Sequence, residues 1–151
     1  MGRAPWARMN GQQSPVRIAV VNDDAAFLAL VERLLEAEGP YEVFTFRDEE
    51  TRLAELRAIR PDLIVIDVLQ ASLPSGWELA LLAGADGALG PVPIVVTSPD
   101  VPGLGHRVQE LREVANVRVV SKPFTSDELA AVVREALTGA DPADRETPEP
   151  R

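Results

Sequence analysis

The sequence predicts an α/β fold, a parallel sheet of five strands covered by helices on both faces. Two observations predict it. Short β-branched runs without polar interruption recur along the chain, and each is followed by a longer stretch with apolar residues at helical spacing. The length of 151 residues and the 46% hydrophobic content suit one folded unit with an ordinary core.

The elements follow in order. Residues 17–21 (RIAVV) form a continuous run, as a strand buried on both faces requires. From Asp24 to Glu38, Phe27, Leu28, Val31, Leu34 and Leu35 recur at helical spacing, and Gly39-Pro40 ends the helix. Tyr41–Phe46 (YEVFTF) alternates and is rich in strand formers. Residues 48–59 are helical, with Leu53, Leu56 and Ile59 on one face. Residues 63–66 (LIVI) are the third strand, and a helix follows from Gly76 to about Ala85. Residues 94–96 are the fourth strand, 104–114 a weaker helix, and 117–120 the fifth strand. The last helix spans 125–137 and opens on a Thr-Ser-Asp-Glu capping sequence. Residues 1–15 are expected to be a disordered leader, 16–138 the folded unit, and 139–151 a Pro- and charge-rich disordered tail.

Composition narrows the chemistry. With 24 acidic against 15 basic side chains and a net charge of −9, direct nucleic-acid binding is disfavoured by repulsion from phosphates. The absence of cysteine excludes disulfides, thiolate metal sites and cysteine nucleophiles. A single histidine, His106, expected in an exposed loop, excludes a multi-histidine metal site. No apolar run reaches the ~18 residues of a membrane span, and no signal-peptide core is visible, so a cytoplasmic location is expected.

In open parallel sheets, ligands bind beyond the carboxyl ends of the strands. Asn22, Asp23 and Asp24 follow the first strand, Asp67 the third, Thr97 and Ser98 the fourth, and Ser121, Lys122 and Pro123 the fifth. Individually these residues read as helix caps and turns. Asp67, at the end of an apolar strand, is different, because a desolvated carboxylate needs a partner. The first turn lacks a G-x-G-x-x-G phosphate loop, and its acids would repel a pyrophosphate unless a cation intervened. Asp23 and Asp67, with a backbone carbonyl just past Asp67 (that of Leu69), supply the oxygen donors that Mg²⁺ prefers. Thr97 and Lys122 supply a hydrogen bond and a positive charge for phosphoryl oxygens, and Asp67 is the natural nucleophile.

The segments RIAVVNDD, PDLIVID, GWELA, PIVVTS and SKPFTSDEL, in this order, resemble the receiver domains of two-component response regulators over about residues 16–138. The resemblance implies a doubly wound, flavodoxin-like (βα)5 sheet with strand order 2-1-3-4-5. It implies that Asp67 takes phosphate from a histidine kinase or phosphotransfer protein, with Mg²⁺ held by Asp23, Asp67 and the Leu69 carbonyl. It assigns Thr97 as the switch hydroxyl and Lys122, before a cis Pro123, as the phosphate-binding cation. The output would be a rearranged face formed by the fourth helix, fifth strand and fifth helix, read by an unidentified partner or used for homodimerisation. Such a domain is a signalling switch, not an enzyme beyond its own aspartyl phosphorylation and dephosphorylation.

Four departures from the family pattern stand out. Asn22 replaces the first of two acids; reaching the metal through water, an amide implies weaker affinity, with Asp24 as a substitute ligand or simply a helix N-cap. Gly76 lies one residue later than usual, so the 69–75 loop carries an insertion. Val119 occupies the aromatic switch position. Residues 101–107 are longer than usual and rich in Gly and Pro. Asn22, the loop insertion and Val119 favour an alternative reading, a degenerate receiver acting as a phosphorylation-independent interaction module, while retention of Asp23, Asp67, Thr97 and Lys122 favours the phosphorylation switch. An enzyme for a small phosphorylated molecule would need a further acid or base, and none is visible. Trp77 and the leucines of its helix are expected to pack, Phe124 to pack beside the site, and Arg52, Arg57 and Arg60 to form a solvated helix face.

Overall fold

In a computed structural model, five strands pair in parallel in the order β2-β1-β3-β4-β5. They are Val16–Val21 (β1), Tyr41–Phe46 (β2), Leu63–Asp67 (β3), Ile94–Ser98 (β4) and Val117–Ser121 (β5). The helices are Ala25–Glu38 (α1), Leu53–Ile59 (α2), Pro74–Ala85 (α3), Val101–Leu104 (α4), Arg107–Arg112 (α5) and Ser126–Thr138 (α6). The structure describes residues 15–47, 53–68, 74–99, 101–105 and 107–139. The expected leader before residue 15 and tail after residue 139 lie outside them, as do residues 48–52, Leu69 and His106.

Strand alternation divides the core in two. Ile18 and Val20 of β1 point to one face, with Leu63, Val65, Val95 and Val120, and meet Leu28, Val31 and Leu35 of α1 and Leu129 and Val133 of α6. Ala19 and Val21 point to the other, with Ile64, Ile66, Ile94 and Val96, and meet Leu56 of α2, Trp77 and Ala80 of α3, Leu104 and Leu111. Burial on both faces explains why β1, β3 and β4 read as uninterrupted apolar runs. Each fully buried Leu or Ile contributes ~1.5–3 kcal/mol.

Caps place the helices that flank the strand ends. Asp24 Oδ1 accepts the N–H groups of Ala26 at 2.9 Å and Phe27 at 3.3 Å, the helix-cap role read for this residue. Thr125 and Glu128 form a reciprocal capping box, with bonds of 2.9 and 3.0 Å, at the start of α6.

Two expectations are corrected. The helix expected over 104–114 spans only Arg107–Arg112 (α5), and a separate turn, α4, forms over Val101–Leu104 within the Gly- and Pro-rich stretch 101–107; Gly105, at φ +54°, takes a left-handed conformation between the two. Leu82, expected to pack with its helix, is 52% exposed, because Ala80 and Ala83 turn the buried side of α3 away from it. No described helix is long and apolar enough to cross a membrane.

The arginine face of α2 includes one fixed contact. Arg57 forms a forked pair with Asp86, its Nη2 2.6 Å from Oδ1, while Asp86 Oδ2 accepts the N–H groups of Ala88 and Leu89. The Arg57 hydrogen bond, with those of the Leu89 and Ala88 amides, lowers the Asp86 carboxyl from its ordinary 3.8 to about 2. A depressed folded-state pKa stabilises the fold fully above about 3.8 and ceases to do so below about 2. Asp86→Asn is therefore expected to lower stability near neutrality, with the difference from the unsubstituted chain closing as pH falls through that window. Urea unfolding at a series of pH values checks this; a gap that persists undiminished at the acid end would contradict it.

Candidate functional site

The carboxyl edge of the sheet is where β1, β3, β4 and β5 release polar side chains. Asp67 is paired in register with Thr97, and Thr97 with Val120. Val21 is level with Ile66, which sets Asn22 level with Asp67 and Asp23 one residue beyond. Three backbone bonds continue the ladder past the strands: Asn22 N–H to Phe46 O at 3.0 Å, Val68 N–H to Thr97 O at 2.8 Å, and Lys122 N–H to Ser98 O at 2.8 Å. The site is thus built on rigid strand ends. Alternation puts Asp67, Thr97 and Lys122 on the same side of the sheet as Val65, Val95 and Val120, the side covered by α1 and α6.

Asp67 is 5% exposed and Thr97 fully buried. The Thr97 hydroxyl donates to Asp67 Oδ1 at 2.8 Å. Lys122 Nζ lies 2.6 Å from the same oxygen. A buried carboxylate is tolerable only with such partners. Both contacts fall on one oxygen, leaving the other clear of Thr97 and Lys122. The Lys122–Pro123 peptide bond is cis.

Asn22 is buried, and its Oδ1 accepts the Asp24 N–H at 2.8 Å, closing a local turn. Asp23 is exposed, and its carbonyl accepts a hydrogen bond from Arg47 Nη2 at 3.2 Å. Among the described residues, no three or more His, Cys, Asp or Glu side chains cluster closely enough to hold a metal. Asn22 stands where a third acid would be, and Asp24 is committed to capping α1. The candidate donor set is therefore two carboxylates, Asp23 and Asp67, with backbone carbonyl and water. That all-oxygen set fits Mg²⁺, which keeps several waters, and does not fit zinc.

Residues 18–134 match the family model of the response regulator receiver domain. The chain belongs to this family. It is 35% identical over 125 residues to the nitrogen assimilation regulatory protein NtrX of Azorhizobium caulinodans, covering 80% of this chain and 26% of that one. It is 34% identical over 130 residues to the response regulator MprA of Mycolicibacterium vanbaalenii, covering 86% and 54%. The chain thus spans about a quarter and about half of these two relatives. Among solved structures it resembles the receiver domain of a sensor histidine kinase from Pseudomonas aeruginosa, described with a magnesium ion coordinated in its active site cleft; TM-score is 0.66, identity 22%, and coverage 82% of this chain and 98% of that one.

Within this receiver domain the structure brings Asp67, Thr97 and Lys122 into direct contact and sets Asn22 and Asp23 at the adjoining strand end. Leu69, expected to supply a carbonyl, lies outside the described residues. Two residues to which the sequence assigns only helix positions and loop length also touch the site. Gly76, at the start of α3, packs on the backbone of Asp67: a Cβ there would sit 2.5 Å from the Asp67 carbonyl oxygen. Phe27 lies under Lys122, whose Nζ is 4.4 Å from the ring centroid. The signal for Phe27 was an aromatic residue in the first turn of a helix leaving the acidic strand end. Val119, at the position where the family carries an aromatic, is half-buried and packs against the opposite core, with Leu104 and Leu111.

Proposed function

We propose that Asp67 is a phosphoacceptor, taking a phosphoryl group from the phosphohistidine of a kinase or phosphotransfer protein. The observation that carries this reading is the convergence of a buried hydroxyl, Thr97, and an ammonium, Lys122, on one oxygen of a buried strand-end carboxylate. The second oxygen attacks phosphorus in line. The P–O bond forms as the P–N bond breaks, and the electron pair leaves with the imidazole. Lys122 and Thr97 then transfer their contacts from Asp67 Oδ1 to phosphoryl oxygens, where charge accumulates in the transition state. Asp23 and Asp67 would hold Mg²⁺, which supplies charge neutralisation between carboxylates and phosphate when bound. The added charge biases two states of the protein, which is what a partner reads.

Labelling with a small-molecule phosphodonor in Mg²⁺, followed by acid-labile phosphate assay, tests the reading. One equivalent of acid-stable, hydroxylamine-resistant phosphate, or none at all, would overturn it. The protein acts as a cytoplasmic signalling switch whose partner reads its phosphorylation state.

A second reading, a receiver that signals without phosphate, draws on Asn22. Its side chain is an amide, not an acid, so the pocket carries one carboxylate fewer, and its Oδ1 already accepts the Asp24 N–H. Under the phosphoacceptor reading this weakens metal binding without abolishing it. Asn22→Asp is expected to tighten Mg²⁺ about tenfold to a hundredfold, since one extra carboxylate charge near 4 Å from a divalent ion is worth about 2 kcal/mol even in a water-like dielectric. Calorimetric titration with Mg²⁺ reads this directly. Equal affinities would mean that residue 22 does not face the metal.

A further inference from the structure

Resting on the phosphoacceptor reading, we propose that Phe27 is a positioning residue for Lys122. Its ring face holds the ammonium in place while that group transfers from the Asp67 carboxylate to phosphate.

Lys122 Nζ is in contact on two sides. On one it meets Asp67 Oδ1 at 2.6 Å, and on the other it stands over the Phe27 ring, 4.4 Å from the centroid. The side chain is 23% exposed, so the ammonium is only partly hydrated. A ring face attracts a cation through its quadrupole, most strongly where water is partly removed. That attraction has no fixed donor–acceptor direction. It therefore restrains the ammonium near the site while allowing it to slide from one oxygen to another, as transfer of the phosphoryl group requires.

The ring is itself held. Phe124, two residues past Lys122, meets Phe27 edge-on at 6.3 Å with 77° between planes. The Phe27 backbone N–H is tied to the Asp24 cap. Both aromatic rings pack on the core beneath α1 and α6. On the opposite core, where the family's aromatic switch would lie, the chain has Val119. The ring contact to the phosphate-binding lysine therefore comes from α1, on the sheet side where Asp67 and Thr97 also point.

The test replaces Phe27 with phenylalanines bearing one, two and three ring fluorines, which drain the quadrupole at nearly constant shape. Beryllofluoride, a phosphoryl mimic, is titrated in excess Mg²⁺, with thermal unfolding as a check on the fold. The proposal predicts affinity falling stepwise with fluorination and unchanged thermal unfolding. It also predicts a loss of roughly threefold to tenfold in Phe27→Leu, restored in Phe27→Tyr. Affinity indifferent to fluorination would overturn it, leaving Phe27 as apolar packing only. If the unsubstituted chain binds no beryllofluoride, the phosphoacceptor reading fails instead. The ring-current shift of the Lys122 ε-methylene protons, absent in Phe27→Leu, then decides separately whether Phe27 holds Lys122; a shift unchanged by that substitution overturns the contact itself.

Discussion

Asp67→Asn is expected to abolish phosphate incorporation while leaving the fold intact. The amide keeps the shape of the side chain and can still accept from Thr97, but it is not a nucleophile toward phosphorus at neutral pH. It also removes the charge that pairs with Lys122 2.6 Å away. Lys122 is partly exposed, so its ammonium can turn to water, and the buried apolar cores on both faces of the sheet are untouched. Cooperative urea unfolding similar to the parent, with labelling at background, is the expected pair of results. Residual labelling at the parental level would move the acceptor to another residue and leave Thr97 and Lys122 with no part in phosphoryl transfer.

Gly76→Val is expected to damage both stability and the site. The added Cβ would lie 2.5 Å from the Asp67 carbonyl oxygen and 3.5 Å from Ile66 Cγ2. The nearest atom is backbone of a buried strand hydrogen-bonded on both sides, so it cannot yield as the tip of a flexible side chain would. The start of α3 must move away from β3 instead. Overpacking of this kind costs about 1–3 kcal/mol. It also shifts the backbone that carries Asp67 relative to Thr97 and Lys122, so phosphorylation should fall more than stability alone explains. Gly39→Ala is the control, because a Cβ there meets nothing within 4 Å. Urea midpoints and labelling rates for both variants check this. An unperturbed Gly76→Val protein would mean that α3 does not rest on the acidic strand end.

The parts of the fold that were legible in sequence are those with local causes. Residues 17–21 and 63–66 read as buried strands because helices cover both faces of β1 and β3. Asp24 and Thr125 read as caps because their side chains satisfy amides two or three residues on. The convergence at the carboxyl edge was legible because parallel strands all release their ends on one side, so Asp67, Thr97 and Lys122 needed no contact information to be placed together. What escaped depended on conformation or distance. A left-handed glycine, Gly105, separates the unforeseen turn 101–104 from a helix that begins at Arg107, later than its sequence suggests. The Arg57–Asp86 fork joins residues from different crossovers. The Phe27–Lys122 contact joins the first helix to the loop after the last strand, and the close approach of Gly76 to Asp67 is visible only when an absent methyl is placed in space.

The family membership rests on the match over residues 18–134 and on a strand order that sets the polar side chains. Whether this receiver domain accepts phosphate depends on how its pocket works with Asn22 in place of an acid and with Val119 in place of an aromatic. Titration with Mg²⁺ and beryllofluoride, followed by amide NMR, tests that most directly. The phosphoacceptor account predicts saturable shifts at Asp67, Thr97 and Lys122 and along the start of α1, all lost in Asp67→Asn. Spectra that stay unchanged at millimolar Mg²⁺ and saturating beryllofluoride would contradict it and leave the chain as a receiver fold that binds its partners without phosphate.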